Sequence, residues 1–326
     1  MADIQSGKEI CKHMIELQGI GKYYGSKLAL DDVSFSVDGA CIIGLLGKNG
    51  AGKSTLMNII TGYLPATSGN VIVDGKSIDE EAQEVKSKIG YLPEKPPVYD
   101  TMSVHEFLCY AARLKGVPKG EVSSAVDQVI SQTGLYSVKD RLIRNLSKGY
   151  QQRVGIAQAM AGNPEVLILD EPTVGLDPSQ VVEIRAMLRA YARDHVIIIS
   201  SHILSEIAEI CDRIVILNEG KLIKDCAVSE LGSTGKNHLF IRVEAEKSYF
   251  ESIILKKLKN CRYVYKGSGE PGCSDWELSL LSCGEDIRKM VFRAVVESGL
   301  NLLQMYPAGT EIEDVFLDLT SVSYPR

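Results

Sequence analysis

The run Gly47-Lys48-Asn49-Gly50-Ala51-Gly52-Lys53-Ser54-Thr55 constrains this chain more than any other stretch. It follows an apolar segment, residues 40–46, that reads as a buried strand, and it opens into a helix. Glycines at this spacing let successive backbone N–H groups turn inward around a phosphate. The following helix directs its positive end at the same anion. The pattern G-x-x-x-x-G-K-[ST] between strand and helix therefore predicts a cradle for nucleotide phosphates. Within it, Lys53 is placed to reach the β- and γ-phosphates, and the Ser54 hydroxyl to ligate Mg²⁺.

A second segment supplies the groups such a loop needs. Glu165-Val-Leu-Ile-Leu-Asp170-Glu171-Pro172 places two carboxylates just past a four-residue apolar strand. Asp170 is expected to hold Mg²⁺, directly or through water, and Glu171 to poise the attacking water as general base.

The surrounding pattern is α/β with a largely parallel sheet. Strands are predicted over residues 40–46, 166–169 and 196–200, each leading into a helix. Asp177 caps a helix over 177–193 with Pro178 in its first turn. Ser103-Val-His-Glu106 is a capping box that introduces a helix over 104–115. With a helix over 119–132 it forms a helical insertion of about residues 96–143. Residues 213–217 and 221–226, joined by Asn218-Glu-Gly220, read as a β-hairpin.

The polar stretch 232–237 separates this domain, residues 1–231, from a smaller α+β domain, 238–326. The order there is strand 238–243, helix 248–258, strand 262–266, strand 276–281, helix 285–298 and strand 300–306. That is the ferredoxin-like β-α-β-β-α-β sequence. An amphipathic helix over 311–319 is expected to close the chain, and Trp276 is expected in the core.

Charge and cysteine usage narrow the function classes. The chain has 326 residues with 36 Lys+Arg and 42 Asp+Glu, a formal net charge of −6, which argues against a grip on nucleic acid or an anionic membrane surface. No run reaches the ~18–20 apolar residues needed to cross a bilayer, and the amino end lacks the apolar core of a secretory signal. The eight cysteines include Cys11 and Cys283 and form no CxxC pair, as expected of reduced thiols in the cytosol. Any transport function must borrow its membrane passage from another chain.

Further segments resemble the ATP-binding cassette (ABC) family over roughly residues 15–226. Leu146-Ser147-Lys148-Gly149-Tyr150 resembles the LSGGQ signature, with Lys148 and Tyr150 where the family usually has Gly and Gln. Gly175-Leu-Asp177-Pro178 looks like the D-loop, and Ile199-Ser-Ser-His202 like the H-switch. Tyr24 resembles the aromatic residue that stacks on adenine. Glu94 stands where the family's Q-loop usually has Gln, so a carboxylate would approach Mg²⁺ or its water and couple nucleotide state to the helical insertion.

The resemblance implies a P-loop ATPase fold, ATP and Mg²⁺ as cofactors, and hydrolysis at Glu171 with His202 contacting the γ-phosphate. It implies that Ser147, Gly149 and Asp177 serve nucleotide held on a second ATPase subunit, a second copy or a related chain. The wording of Tyr91-Leu-Pro-Glu94, the signature segment and Ile312-Glu-Asp-Val-Phe316 is similar to bacterial multidrug/efflux-type subunits. These pair with an integral membrane permease at the cytoplasmic face, often for export. The rival readings are a soluble ABC ATPase acting on nucleic acid or ribosomes and a binding-only regulatory subunit.

Overall fold

The computed structural model describes residues 14–231, 238–258, 261–280 and 286–306. Cys11, Cys283, the expected linker 232–237, the expected helix 311–319 and the segment Ile312-Glu-Asp-Val-Phe316 lie outside them. The chain divides into two compact units, Met1–Cys226 and Ala227–Arg326.

In chain order the first unit begins with β1 (Ile15–Tyr24), β2 (Lys27–Val37), β3 (Cys41–Leu46), α1 (Lys53–Ile60), β4 (Ser68–Val73), β5 (Lys76–Ser77), α2 (Ala82–Ser87) and β6 (Ile89–Leu92). Next come α3 (Val104–Leu114), α4 (Val122–Gln132), α5 (Lys148–Met160), β7 (Val166–Leu169) and α6 (Pro178–Tyr191). It ends with β8 (Val196–Ser201), α7 (Leu204–Ile210), β9 (Arg213–Asn218) and β10 (Lys221–Ala227).

Six strands form one sheet in the order β10-β9-β3-β8-β7-β6. The five strands from β9 to β6 run parallel. Parallel strands bring the residues that follow them to one edge, where open α/β sheets carry their chemistry. Leu46 pairs with Ser201, Leu169 with Ile199, and Leu92 with Leu169, so the phosphate loop, His202, Asp170 and Glu94 all emerge on that edge.

A second sheet, β2-β1-β4-β5, is wholly antiparallel. It adds to the largely parallel arrangement that the sequence predicts. Ile15, Leu17, Ile20, Val33 and Val37 from this sheet share one buried cluster with Ile43, Leu45, Val166, Ile168 and Ile198 of the parallel sheet. Leu56, Met57 and Ile60 of α1 belong to the same cluster, which seats the helix carrying Lys53 and Ser54 in the core.

The helical insertion is pinned at both ends. Val104 and His105 amides donate to Arg141 and Lys139 carbonyls, and Ile143 donates to Met102 at 3.0 Å. Ser103 and Glu106 complete the capping box. Helix α4 begins at Val122, three residues later than predicted, because Glu121 donates to Pro118 and closes a turn there.

In the second unit, α8 (Val228–Leu231) precedes β11 (His238–Val243), α9 (Lys247–Lys257), β12 (Cys261–Gly267), β13 (Ser274–Leu280), α10 (Ile287–Val296) and β14 (Leu302–Tyr306). Its antiparallel sheet has the order β12-β13-β11-β14, the ferredoxin-like arrangement. Trp276 is fully buried, stacks on Phe250 at 4.8 Å and donates its indole N–H to Ser274, so it is core as expected. Arg242 grips Asp275 through two hydrogen bonds, 2.7 and 2.8 Å long. The cysteines Cys41, Cys109, Cys211, Cys226, Cys261 and Cys273 are free thiols.

Candidate nucleotide site

The phosphate loop turns on glycine. Gly52 caps α1 with φ 107°, a left-handed conformation, and a Cβ there would meet Ala29 O at 2.9 Å. No side chain caps this helix. The Leu56 amide bonds back to Gly52 O at 2.8 Å, which leaves the Lys53, Ser54 and Thr55 amides at the open helix end for an anion. The loop is braced from behind. Gly220 N, in the β9–β10 turn, donates to Ala51 O at 3.0 Å, and Asp31 N donates to Gly220 O.

Lys53 is only 7% exposed, and its ammonium donates to Gly47 O at 2.6 Å. Burial pulls its pKa below the ordinary lysine range, against the opposing pull of Glu171 and Asp170.

Asp170 is buried, and its amide donates to Leu92 O at 2.9 Å. Its carboxylate accepts a hydrogen bond from Ser200 Oγ. The same Ser200 oxygen accepts the Glu171 N–H at 2.9 Å. Glu171 sits at φ 49°, in the left-handed region that non-glycine residues rarely adopt. Its carboxylate oxygens lie 3.0 Å from His202 Nδ1, a contact in which Nδ1 carries the proton. Thr173 and Glu206, bonded at 2.8 Å, tie the following turn to α7. Burial, reinforced by Asp170, pushes the nearby Tyr91 hydroxyl up to about 12.

These groups line one open cleft of about 890 Å³. Tyr24, Asn49, Gly50, Gly52, Lys53, Ser54, Thr55, Glu94, Asp170, Glu171 and His202, all singled out by the sequence motifs, face it. Gly47, Lys48 and Ala51 support the loop without lining the cleft. Ser147, Gly149 and Asp177 do not line it either. Ser147 caps α5 and Asp177 caps α6, the latter accepting the Gln180 amide at 2.9 Å. The Gln180 side chain lies against Gly149, so the two helix starts adjoin. The Ser179 hydroxyl bonded to Asp177 holds that carboxyl below its usual range.

Lys27, Leu28, Ala29, Val174, Glu219 and Gly220 also line the cleft, beyond the residues the motifs single out. Ser200 is a positioning group that the motifs also pass over. Its one sequence signal is a hydroxyl ending an otherwise apolar run, Val196-Ile-Ile-Ile.

The cleft volume is that of a small-molecule site. The uncapped helix end and buried Lys53 fit a nucleotide's phosphates. Ser54, Asp170 and Glu94 present the oxygen donors that Mg²⁺ prefers.

A phosphate loop at the carboxyl edge of a parallel sheet, facing paired carboxylates, defines a P-loop nucleotide-binding domain. Residues 30–174 match the family model described as ABC transporter. The chain is 36% identical over 228 residues to the bacitracin transport ATP-binding protein BcrA of Bacillus licheniformis, covering 69% of this chain and 74% of that one. It is 30% identical over 311 residues to the linearmycin resistance ATP-binding protein LnrL of Bacillus subtilis, covering 94% and 98%. Among solved structures, cbiO1 of Clostridium perfringens, part of the ABC transporter complex cbiONQ, superposes with a TM-score of 0.63 at 28% identity, over 75% of this chain and 96% of that one. The chain belongs to the ABC transporter family and is an ATP-binding, ATP-hydrolysing transport subunit.

Proposed function

We propose that this chain powers export through a separate integral membrane permease, bound at the cytoplasmic face of the membrane, with no nucleic-acid partner. Relatives named for bacitracin transport and linearmycin resistance support a solute of that kind as cargo. Among the described residues no helix is long and apolar enough to cross a membrane, so passage falls to the partner.

One observation carries the mechanism. The cleft gathers the phosphate loop, Asp170, Glu171 and His202, while Ser147, Gly149 and Asp177 lie outside it. ATP held by residues 47–55, with Tyr24 against adenine, would be shared with the Ser147 and Gly149 segment of a second ATPase subunit. That subunit is another copy or a related chain, and Asp177 joins the same contact. Mg²⁺, held by Ser54 and Asp170 with Glu94 near its water, would neutralise charge between the β- and γ-phosphates. Glu171 accepts a proton as water attacks the γ-phosphorus and the bond to ADP breaks. His202 orients the Glu171 carboxylate and contacts the γ-phosphate. Loss of the shared anion lets the subunits part, and the helical insertion 96–143, guided by Glu94, passes that motion to the permease. Residues 1–231 form the ATPase domain and 238–326 an accessory domain serving dimer contact or regulation.

Hydrolysis assays on purified chain test this assignment. Glu171→Gln should lose hydrolysis by at least about a hundredfold while still binding MgATP; wild-type turnover in that variant refutes the assigned base.

A further inference from the structure

The cleft is rich in acid for a site that takes a polyanion. Glu94, Asp170, Glu171 and Glu219 face it against two ammonium groups, Lys27 and Lys53. Asp170 and Glu171 are engaged by Ser200 and His202. Glu94 is exposed, and its carboxylate makes no hydrogen bond or ion pair with any described residue. A free carboxylate there adds negative charge beside the triphosphate and its Mg²⁺, and a further cation arriving from elsewhere would offset it.

Two cations near the signature segment, Arg144 and Lys148, have no ion-pair or side-chain hydrogen-bond partner among the described residues, and Lys148 is the one inside the segment. Arg153, Arg185 and Arg189 are paired with Glu183, Glu209 and Asp212. Lys148 is exposed and has no ion-pair or hydrogen-bond partner among the described residues. Its ammonium lies over Gly175, in the space a side chain there would fill, so that glycine (φ 71°) leaves the lysine room beside the Asp177 turn. Lys148 directly follows Ser147, the residue assigned to face the partner's nucleotide. Glu94 and Lys148 are both departures from the family's neutral residues, and their charges are opposite.

We propose that Lys148 of one copy neutralises Glu94 of the other across the shared ATP. This trans charge pair makes each half of the site electrostatically incomplete without its mate. The inference rests on the two-copy reading above and adds a specificity device to it, since a mate lacking the lysine would leave Glu94 uncompensated.

A double-mutant cycle in the Glu171→Gln background, with MgATP, tests it by light scattering. Lys148→Gly should weaken ATP-driven dimerisation about tenfold when residue 94 is Glu, and less than about twofold when Glu94→Gln is also present. Lys148→Arg should restore native dimerisation, and the Lys148→Gly defect should shrink as salt is raised. Equal factors in both backgrounds overturn the pairing while leaving the shared-ATP reading intact. A parent that stays monomeric with MgATP bound overturns both.

Discussion

Ser200 provides the sharpest test of how the carboxylates of Asp170 and Glu171 are held. It is fully buried, and its hydroxyl both donates to Asp170 and accepts the Glu171 N–H at 2.9 Å. Ser200→Ala removes a hydrogen bond to a buried carboxylate and leaves a backbone N–H without its acceptor. Each loss is of order 1–3 kcal/mol. The two share one atom and one strand, so a combined effect of about 2–4 kcal/mol is reasonable. Glu171 stands in the left-handed region at φ 49°, where only its surroundings keep it. Freed of Ser200, its backbone relaxes and the carboxylate leaves His202. If that whole energy is felt in the transition state, kcat falls by about 30-fold to nearly 1,000-fold, at tenfold per 1.4 kcal/mol. The phosphate loop is untouched, so ATP binding should change by less than about threefold. Steady-state phosphate release gives kcat and KM, and nucleotide titration gives affinity. A Ser200→Ala enzyme with kcat within twofold of native refutes the argument that this hydroxyl positions the pair.

Lys53→Ala should weaken ATP binding by at least about tenfold in calorimetric titration, because it removes the buried cation aimed at the phosphates; unchanged affinity contradicts the cradle. A fragment ending at Leu231 should bind ATP within about twofold of the full chain, as expected of an independent domain, and its unfolding shows the units depend on each other. In the second unit, Arg242 beside Asp275 holds that carboxyl below its ordinary range. A depressed carboxyl contributes stability above its unfolded pKa of about 4 and loses it as pH falls through the folded value. Melting followed from about pH 5 to pH 2 should therefore show a fall that Asp275→Asn flattens, and an unaltered slope removes the pair from the balance.

The motifs that line the cleft are legible because each is confined to a short run. Val166–Leu169 is buried on both faces and so reads as unbroken apolar sequence before Asp170. The capping box at Ser103 and the cap at Asp177 are equally local, and both form. The antiparallel sheet is harder to read. Register shifts between Leu17 and Ile20, and again between Ile20 and Lys22, break the alternation that marks a strand. Lys22 looks like a surface residue but is buried with its ammonium on Pro65 O at 2.6 Å. The role of Ser200 is hard to read for a different reason. Its role exists only because β8 lies beside β7, and strand order is not written in either strand alone. In the second unit the element order was readable, while the Arg242–Asp275 grip depends on the β11–β13 register.

The central claim is that two ATPase subunits close over nucleotide that one alone holds in an open cleft. The molar mass of Glu171→Gln in solution, measured by light scattering with and without MgATP, tests it most directly. The expected result is a shift from 35.7 kDa to about twice that value on adding MgATP, with no shift for Lys53→Ala in the same background. A mass that stays at 35.7 kDa with nucleotide bound would contradict it.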